Sequence, residues 1–329
     1  MLWVGVKAGI SGFFTVAVLA MLETTFSFDN AIVNARILHR MSKFWQTIFM
    51  TLGIFIAVFV VRVLLPIAIV SLTSETGFRE VVRLALHDTA VYGEKLELAH
   101  PLISSFGGIF LLMLFLDFVF ESREVKWLKR PELLLEKFGG RVRFASSIIA
   151  LGIVVACAFV LAPDHEQKKV LVAGLIGMGV YLVVKTLDSL ASPTSLLKKS
   201  SHAGLIGFLY LELIDASFSL DGVIGAFALT KDILLIAAGL GIGALFVRSM
   251  TVHLMRRGVL ARYIYLEHGA HYAIGILAFL MLVSVRFGVP EFITGTSGLA
   301  VIIVALVHSQ REAKQLEAET HAKPKAIRL

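Results

Sequence analysis

An all-α membrane protein with several spans is the fold class this sequence predicts, and three observations carry it. Of its 329 residues 57% are hydrophobic, and the mean hydropathy is +0.84, far above that of a soluble domain. The apolar residues come in runs long enough to cross a bilayer. Lys and Arg flank those runs instead of forming one domain. The formal charge of +7 therefore reads as membrane-flanking residues and not as a nucleic-acid surface. A β-barrel would show short alternating segments, and none is visible. The first apolar stretch is long and carries Glu23 and Asp29, which does not fit a cleavable signal. The single Cys157 allows no disulfide framework.

Nine spans can be drawn, at roughly 8–35, 45–72, 101–121, 144–162, 168–190, 203–229, 232–256, 269–288 and 290–308. Lys and Arg concentrate after the odd-numbered spans: Arg36, Arg40 and Lys43; then seven from Arg123 to Arg143; then Lys198 and Lys199; then Arg256, Arg257 and Arg262; then the tail. The alternate segments are poorer in them. This places the N-terminus outside and the C-terminus in the cytoplasm, as expected for a bacterial inner (plasma) membrane. The acid-rich loop from Ser71 to His100 holds Phe78, Val81, Val82 and Leu84 near helical spacing, which predicts an amphipathic surface helix. The tail from Gln310 is polar and reads as a short helix that frays.

Inside the first span lies Glu23-Thr24-Thr25-Phe26-Ser27-Phe28-Asp29-Asn30. Inside the sixth lies Asp215-Ala216-Ser217-Phe218-Ser219-Leu220-Asp221-Gly222, which aligns with it position for position. Ionisable residues at membrane depth are costly and mark function. The likeness extends to two further elements in the same order. Gly53 to Arg62 resembles Gly239 to Arg248. Leu96-Glu97 with Ala99-His100 resembles Leu266-Glu267 with Ala270-His271. With nine spans the two copies run antiparallel, the pattern of inverted three-helix repeats that place a transporter's site near the midplane. The expected organisation is a first repeat at 1–122, a cytoplasmic loop and linking spans at 123–200, an inverted repeat with a ninth span at 201–309, and a polar tail at 310–329.

On a straight helix Glu23, Ser27 and Asn30 share a face, as do Glu212, Asp215 and Ser219. Asp29 and Asp221 fall off it. Unwinding of each helix near Ser-x-Asp would let both acids converge and would free carbonyls as further ligands. The donor set is then Glu23, Asp29, Asp215 and Asp221, the Asn30 amide, and the Ser27 and Ser219 hydroxyls. Such oxygen-rich sites suit Mg²⁺, Ca²⁺ or Mn²⁺. Four carboxylates at low dielectric cannot all stay ionised without a cation, so protons and metal compete for the same oxygens. Ser27, Ser219, Thr24, Thr25 and Ser217 are equally compatible with bonding a neighbouring helix. Glu212 is a candidate gate or proton site, and Asp117 serves either the pathway or an ion pair. Asp188 fits a pair with Lys185. Arg62 and Arg248 are placed to meet the acids across the interface or to snorkel. No phosphate-binding loop is present, which argues against ATP-driven pumping.

The two acidic motifs, their order and the helix count resemble the TerC family, in the wider LysE-like superfamily of membrane exporters. The stretches H-P-L-I-S-S-F-G-G-I-F-L-L-M-L-F-L-D-F and L-E-H-G-A-H-Y-A-I-G-I-L-A look like one branch of it, and the likeness runs to about Val307. The resemblance implies metal-ion export with manganese as the leading substrate and Glu23, Asp29, Asn30, Asp215 and Asp221 as the carrying residues; with no His in either motif, no enzymatic activity is expected. The chain departs from the pattern with Asp at 215 and Gly at 222. The expected function is a secondary exporter of a divalent cation, Mn²⁺ foremost, with no other cofactor. Its partners are the metal ion and the lipid bilayer, not nucleic acid. The alternatives are a non-transporting scaffold with a structural ion or an internal basic partner, and an exporter of Ca²⁺ or an organic solute. The sequence is silent on oligomeric state.

Overall fold

The computed structural model of the chain describes residues 2–74, 76–142, 144–191, 202–230 and 232–322; the side chains of 2–8, 188–191, 202–203, 220–221, 228, 261, 291 and 316–322 lie outside the description. Helices α1 (Leu2–Phe26, kinked at Gly9) and α2 (Phe28–His39) make the first expected span in two pieces. The second span is one apolar column: α3 (Lys43–Met50), α4 (Leu52–Phe55), a π-helical stretch Ile56–Leu64, and α5 (Leu65–Thr73). Then come α6 (Phe78–His87), α7 (Thr89–Phe120), α8 (Lys129–Arg141), α9 (Ala145–Ala156, ending in a π turn Cys157–Leu161) and α10 (Gln167–Ala191). The second half holds α11 (His202–Leu229), α12 (Ile233–Arg256), α13 (Val259–Arg262), α14 (Leu266–Ser284) and α15 (Glu291–Ala322). Among the described residues there is no strand.

Seven of these helices are long and apolar enough to cross a membrane, or up to eight if the bent pair of α8 and α9 counts as one span. The protein is an all-α, polytopic integral membrane protein. Nine spans were expected. The count covers the described residues only: the short segment Ala145–Leu161 enters it together with α8, and the 28-residue α11 includes positions outside the description, so the count does not test that span. Apolar side chains such as Phe14, Met21, Phe59, Val160, Phe246 and Phe279 stand exposed, as lipid-facing positions do.

The expected third span begins earlier than its apolar run. α7 starts at Thr89, capped by the Asp88 carboxylate, which accepts the Val91 N–H (3.3 Å), and runs through Pro101. Ala, Glu, Lys and Leu between 90 and 98 sustain a helix outside the apolar stretch. The loop before it does contain a helix, α6, with Val81 and Ala85 buried and Phe78 and Leu86 exposed. The tail, expected to fray, continues α15 as one helix to Ala322.

The packing repeats when the two triplets are exchanged. α1 lies on α12, while α11 lies on the second span; α2 touches α14, while α11 touches α7; and α7 packs on α14. Contacts also give directions. Gly239 meets Leu19 and Gly243 meets Glu23, so α1 and α12 run parallel. Gly204 meets Trp45 and Gly53 meets Glu212, so α11 runs parallel to the second span. Gly241 meets Val58 while Arg248 meets Phe49, so α12 opposes the second span. α11 therefore opposes α1. α7 and α14 are antiparallel, Gly107 against Met281 and Gly275 against Phe115. Lipid provides no hydrophobic drive between helices, so this close approach of small residues is what holds them. In the α7–α14 seam Ile109, Phe110, Met113, Ala270, Ala273 and Ile274 are fully buried.

Candidate functional site

The two acidic motifs fold differently. α1 ends at Phe26 and α2 begins at Phe28, with Ser27 between them at φ −93° and ψ 20°. α11 passes through its own copy as one helix. The first copy carries two threonines whose hydroxyls donate back to the carbonyls of Ala20 and Met21 (2.7 Å each). Such back-bonding bends helices. The second copy has Ala216 and Ser217 there, and only Ser217 donates back, to Leu213 (3.0 Å). The expected unwinding is thus limited to one non-helical residue, Ser27, in the first copy and is absent in the other. Even at this interruption no carbonyl is freed at Glu23 or Ser27. They accept the N–H groups of Ser27 (3.0 Å) and Ala31 (3.1 Å).

The acids do not converge on one point, because each copy gives its acid to its own arginine. Glu23 is paired with Arg62 and also accepts the Ser27 hydroxyl (3.2 Å). Arg62 sits in the π-helical stretch, and its other amino group donates to the carbonyl of Ala57 five residues back (2.6 Å). The wide π turn leaves that carbonyl reachable. Equivalent Arg248 on α12 donates to Glu212 (3.0 Å), lies 3.5 Å from Asp215, donates to the Phe49 carbonyl (2.7 Å), and stacks over the Phe49 ring at 3.9 Å. All five of these charged side chains are buried. Room for them comes from two glycines. A Cβ on Gly53 would fall on the Arg248 guanidinium and 2.6 Å from the Glu212 oxygen, and one on Gly243 would meet Glu23 at 2.5 Å.

Asn30 joins the copies. Its amide donates to Asp215 (2.8 Å), so it serves the second acid and is not turned toward the first. Asp29 is the exception. It is 4% exposed, accepts the Asn30 N–H (2.8 Å), and has no ion pair among the described residues. It lines a cavity of ≈ 40 Å³ with Glu23 and Ser27, bounded by Phe218 and Gly222 of α11 and by Thr294, Gly295 and Gly298 of α15. One water needs roughly 10–15 Å³ by this measure, so the space exceeds a single water. Ser219 is buried, and its hydroxyl has no partner among the described residues. The side chain of Asp221 lies outside them.

Other expected residues lie elsewhere. Asp117 pairs with Lys185 and accepts the Tyr181 hydroxyl (2.6 Å), binding α7 to α10. Lys185 is therefore engaged with Asp117, and the side chain of its expected partner Asp188 is outside the description. Glu212 is an arginine partner. His100 lies 3.1 Å from the Ser104 hydroxyl, and His271 stacks on Phe118. Sequence reasoning missed α15 as a wall of the cavity. The run Gly295-Thr296-Ser297-Gly298 was the available signal, since two glycines three apart on an apolar helix allow close approach. Here Gly295 seats the Phe26 ring, and Gly298 faces Asp29.

As the side chains stand, no group of three or more His, Cys, Asp or Glu among the described residues is gathered to hold a metal ion. The arrangement is instead two acid–arginine pairs and a separate carboxylate beside a small cavity. No curated protein and no solved structure matches the chain. The profile of one family, described as protein of unknown function (DUF475), matches residues 28–316, and the chain belongs to that family.

Proposed function

We propose that the chain is a secondary transporter that exports a divalent metal cation, with Mn²⁺ the leading cargo, and that the cavity at Asp29 receives it. A surplus of negative charge carries this reading. Around the two motifs the described buried charges are the carboxylates of Glu23, Asp29, Glu212 and Asp215 against the guanidiniums of Arg62 and Arg248. Two negative charges remain over. A low-dielectric interior does not hold such a surplus without protons or a cation. A divalent ion balances it, and oxygen donors select a hard one. The likeness to the TerC family supports manganese among these.

Arg62 and Arg248 act in this reading as tethered counter-ions. Cargo reaching Glu23 weakens its pair with Arg62, and departure of the cargo restores it. Protons or the membrane potential supply the drive. The exchange-symmetric packing of the two triplets supports alternating access by rocking, and the distribution of Lys and Arg supports an outside N-terminus. The acid–arginine pairs also favour a second reading, a scaffold neutralised from within. That reading leaves Asp29 and its cavity without a role.

The test is metal movement into proteoliposomes, with Mn²⁺ against Mg²⁺, Ca²⁺ and Zn²⁺, for wild type and Asp29→Asn. The expected result is Mn²⁺ transport that the folded variant loses. A folded wild type that moves none of these cations sinks the reading, and so does a variant that transports like wild type.

A further inference from the structure

α8 turns a corner of 98° into α9. It connects the end of α7 to the start of α9, so it sits where two membrane-embedded helices reach the surface. A helix turned by about a right angle from a membrane-embedded α9 lies near the membrane plane.

Its inner face is fastened down. Gly139 closes on Phe120, where a Cβ would meet the Phe120 Cβ at 2.5 Å. Glu132 accepts the Leu128 N–H (2.8 Å) and the Tyr272 hydroxyl (3.0 Å). Glu136 pairs with Lys126 (2.9 Å). Both acids of α8 are thus committed to protein partners. The outer face keeps Leu134 (69% exposed) and Phe138 (46% exposed) one turn apart. Beside them run exposed Arg130, Lys137 and Arg141. A purely solvated face has no use for the first pair, and a face buried in lipid tails has no place for the three cations. Apolar and basic side chains together, with no free acid, match the boundary of a bilayer with anionic headgroups.

We propose that α8 is a docking helix for anionic phospholipid, with Leu134 and Phe138 entering the acyl boundary and Arg130, Lys137 and Arg141 meeting headgroup phosphates. The inference does not depend on the transport reading. Through Glu132 and Tyr272 it ties the bilayer surface to α14, the helix that packs on α7 and α2.

Cys157 is the only cysteine, so a Cys157→Ser background accepts one spin label at Leu134→Cys, with Lys314→Cys on α15 as the aqueous control. The full chain goes into vesicles of phosphatidylcholine alone or mixed with phosphatidylglycerol, and label contact with lipid-soluble oxygen is compared with contact with a water-soluble nickel chelate. The Leu134 label is expected to enter lipid in the anionic vesicles. Replacing Arg130, Lys137 and Arg141 by Gln should return it to water, each lost charge weakening the seating roughly fivefold. A label that stays aqueous in both vesicles overturns the proposal and leaves the face to a soluble acidic protein. Equal burial in both vesicles, unmoved by the triple substitution, overturns headgroup recognition and leaves apolar seating alone.

Discussion

Glu23 and Asp215 hold equivalent places in the two repeated motifs, and each meets an arginine that is itself repeated. Their surroundings differ. Asp215 is held from two sides, by Arg248 and the Asn30 amide, with Glu212 on the same guanidinium. Glu23 has Arg62 and a hydroxyl four residues on, and it borders a cavity shared with Asp29. The first motif is interrupted at Ser27, and the second lies within one uninterrupted helix. Two threonines and a crossing helix with two glycines separate the copies. A duplicated sequence can therefore hold one acid in a closed ion-pair network while its counterpart borders a cavity.

The largest effect that sharpens this contrast is expected at Arg248. Arg248→Met leaves Glu212 and Asp215 buried without their cation. It should cost about 3–5 kcal/mol of stability, read as thermal unfolding in detergent. Arg62→Met strands one carboxylate that has the cavity beside it, and it should cost less. Equal losses would erase the distinction between frame and site. Gly243→Ala comes next. Its added Cβ meets Glu23 at 2.5 Å, and overpacking of this kind costs about 1–3 kcal/mol. A neutral outcome would show that α1 can shift away from α12. The smallest effect is expected at Lys185→Met. Its pair with Asp117 is half exposed, 53% on the lysine side, so roughly 0.2–1 kcal/mol is expected. A larger loss would show that the pair behaves as a buried one that fastens α7 to α10.

Much of the site was legible because charge in an apolar run has few explanations. Glu23, Asp29, Glu212, Asp215, Arg62 and Arg248 stand out by type alone, and the order of the repeats singles out which arginine corresponds to which. Their partners were not legible. Helical spacing put Asn30 on the face of Glu23, yet its amide reaches 185 positions along the chain to Asp215. The π-helical stretch around Arg62 adds a residue to each turn, which no 3.6-residue pattern anticipates. Asp88 and the mixed residues after it hid the first turns of α7, since only apolar residues had been counted toward a span.

By itself the sequence determined an all-α membrane protein with two acidic motifs at membrane depth. The physical reason is that the bilayer forbids unpaired backbone and makes each buried charge expensive. Only the tertiary structure decided that the acids divide into two arginine pairs and one separate carboxylate, that one motif is interrupted at Ser27, and that α15 lines the cavity. Those outcomes depend on which side chains from distant segments come within hydrogen-bond reach, and a pattern along one helix carries no record of what packs against it.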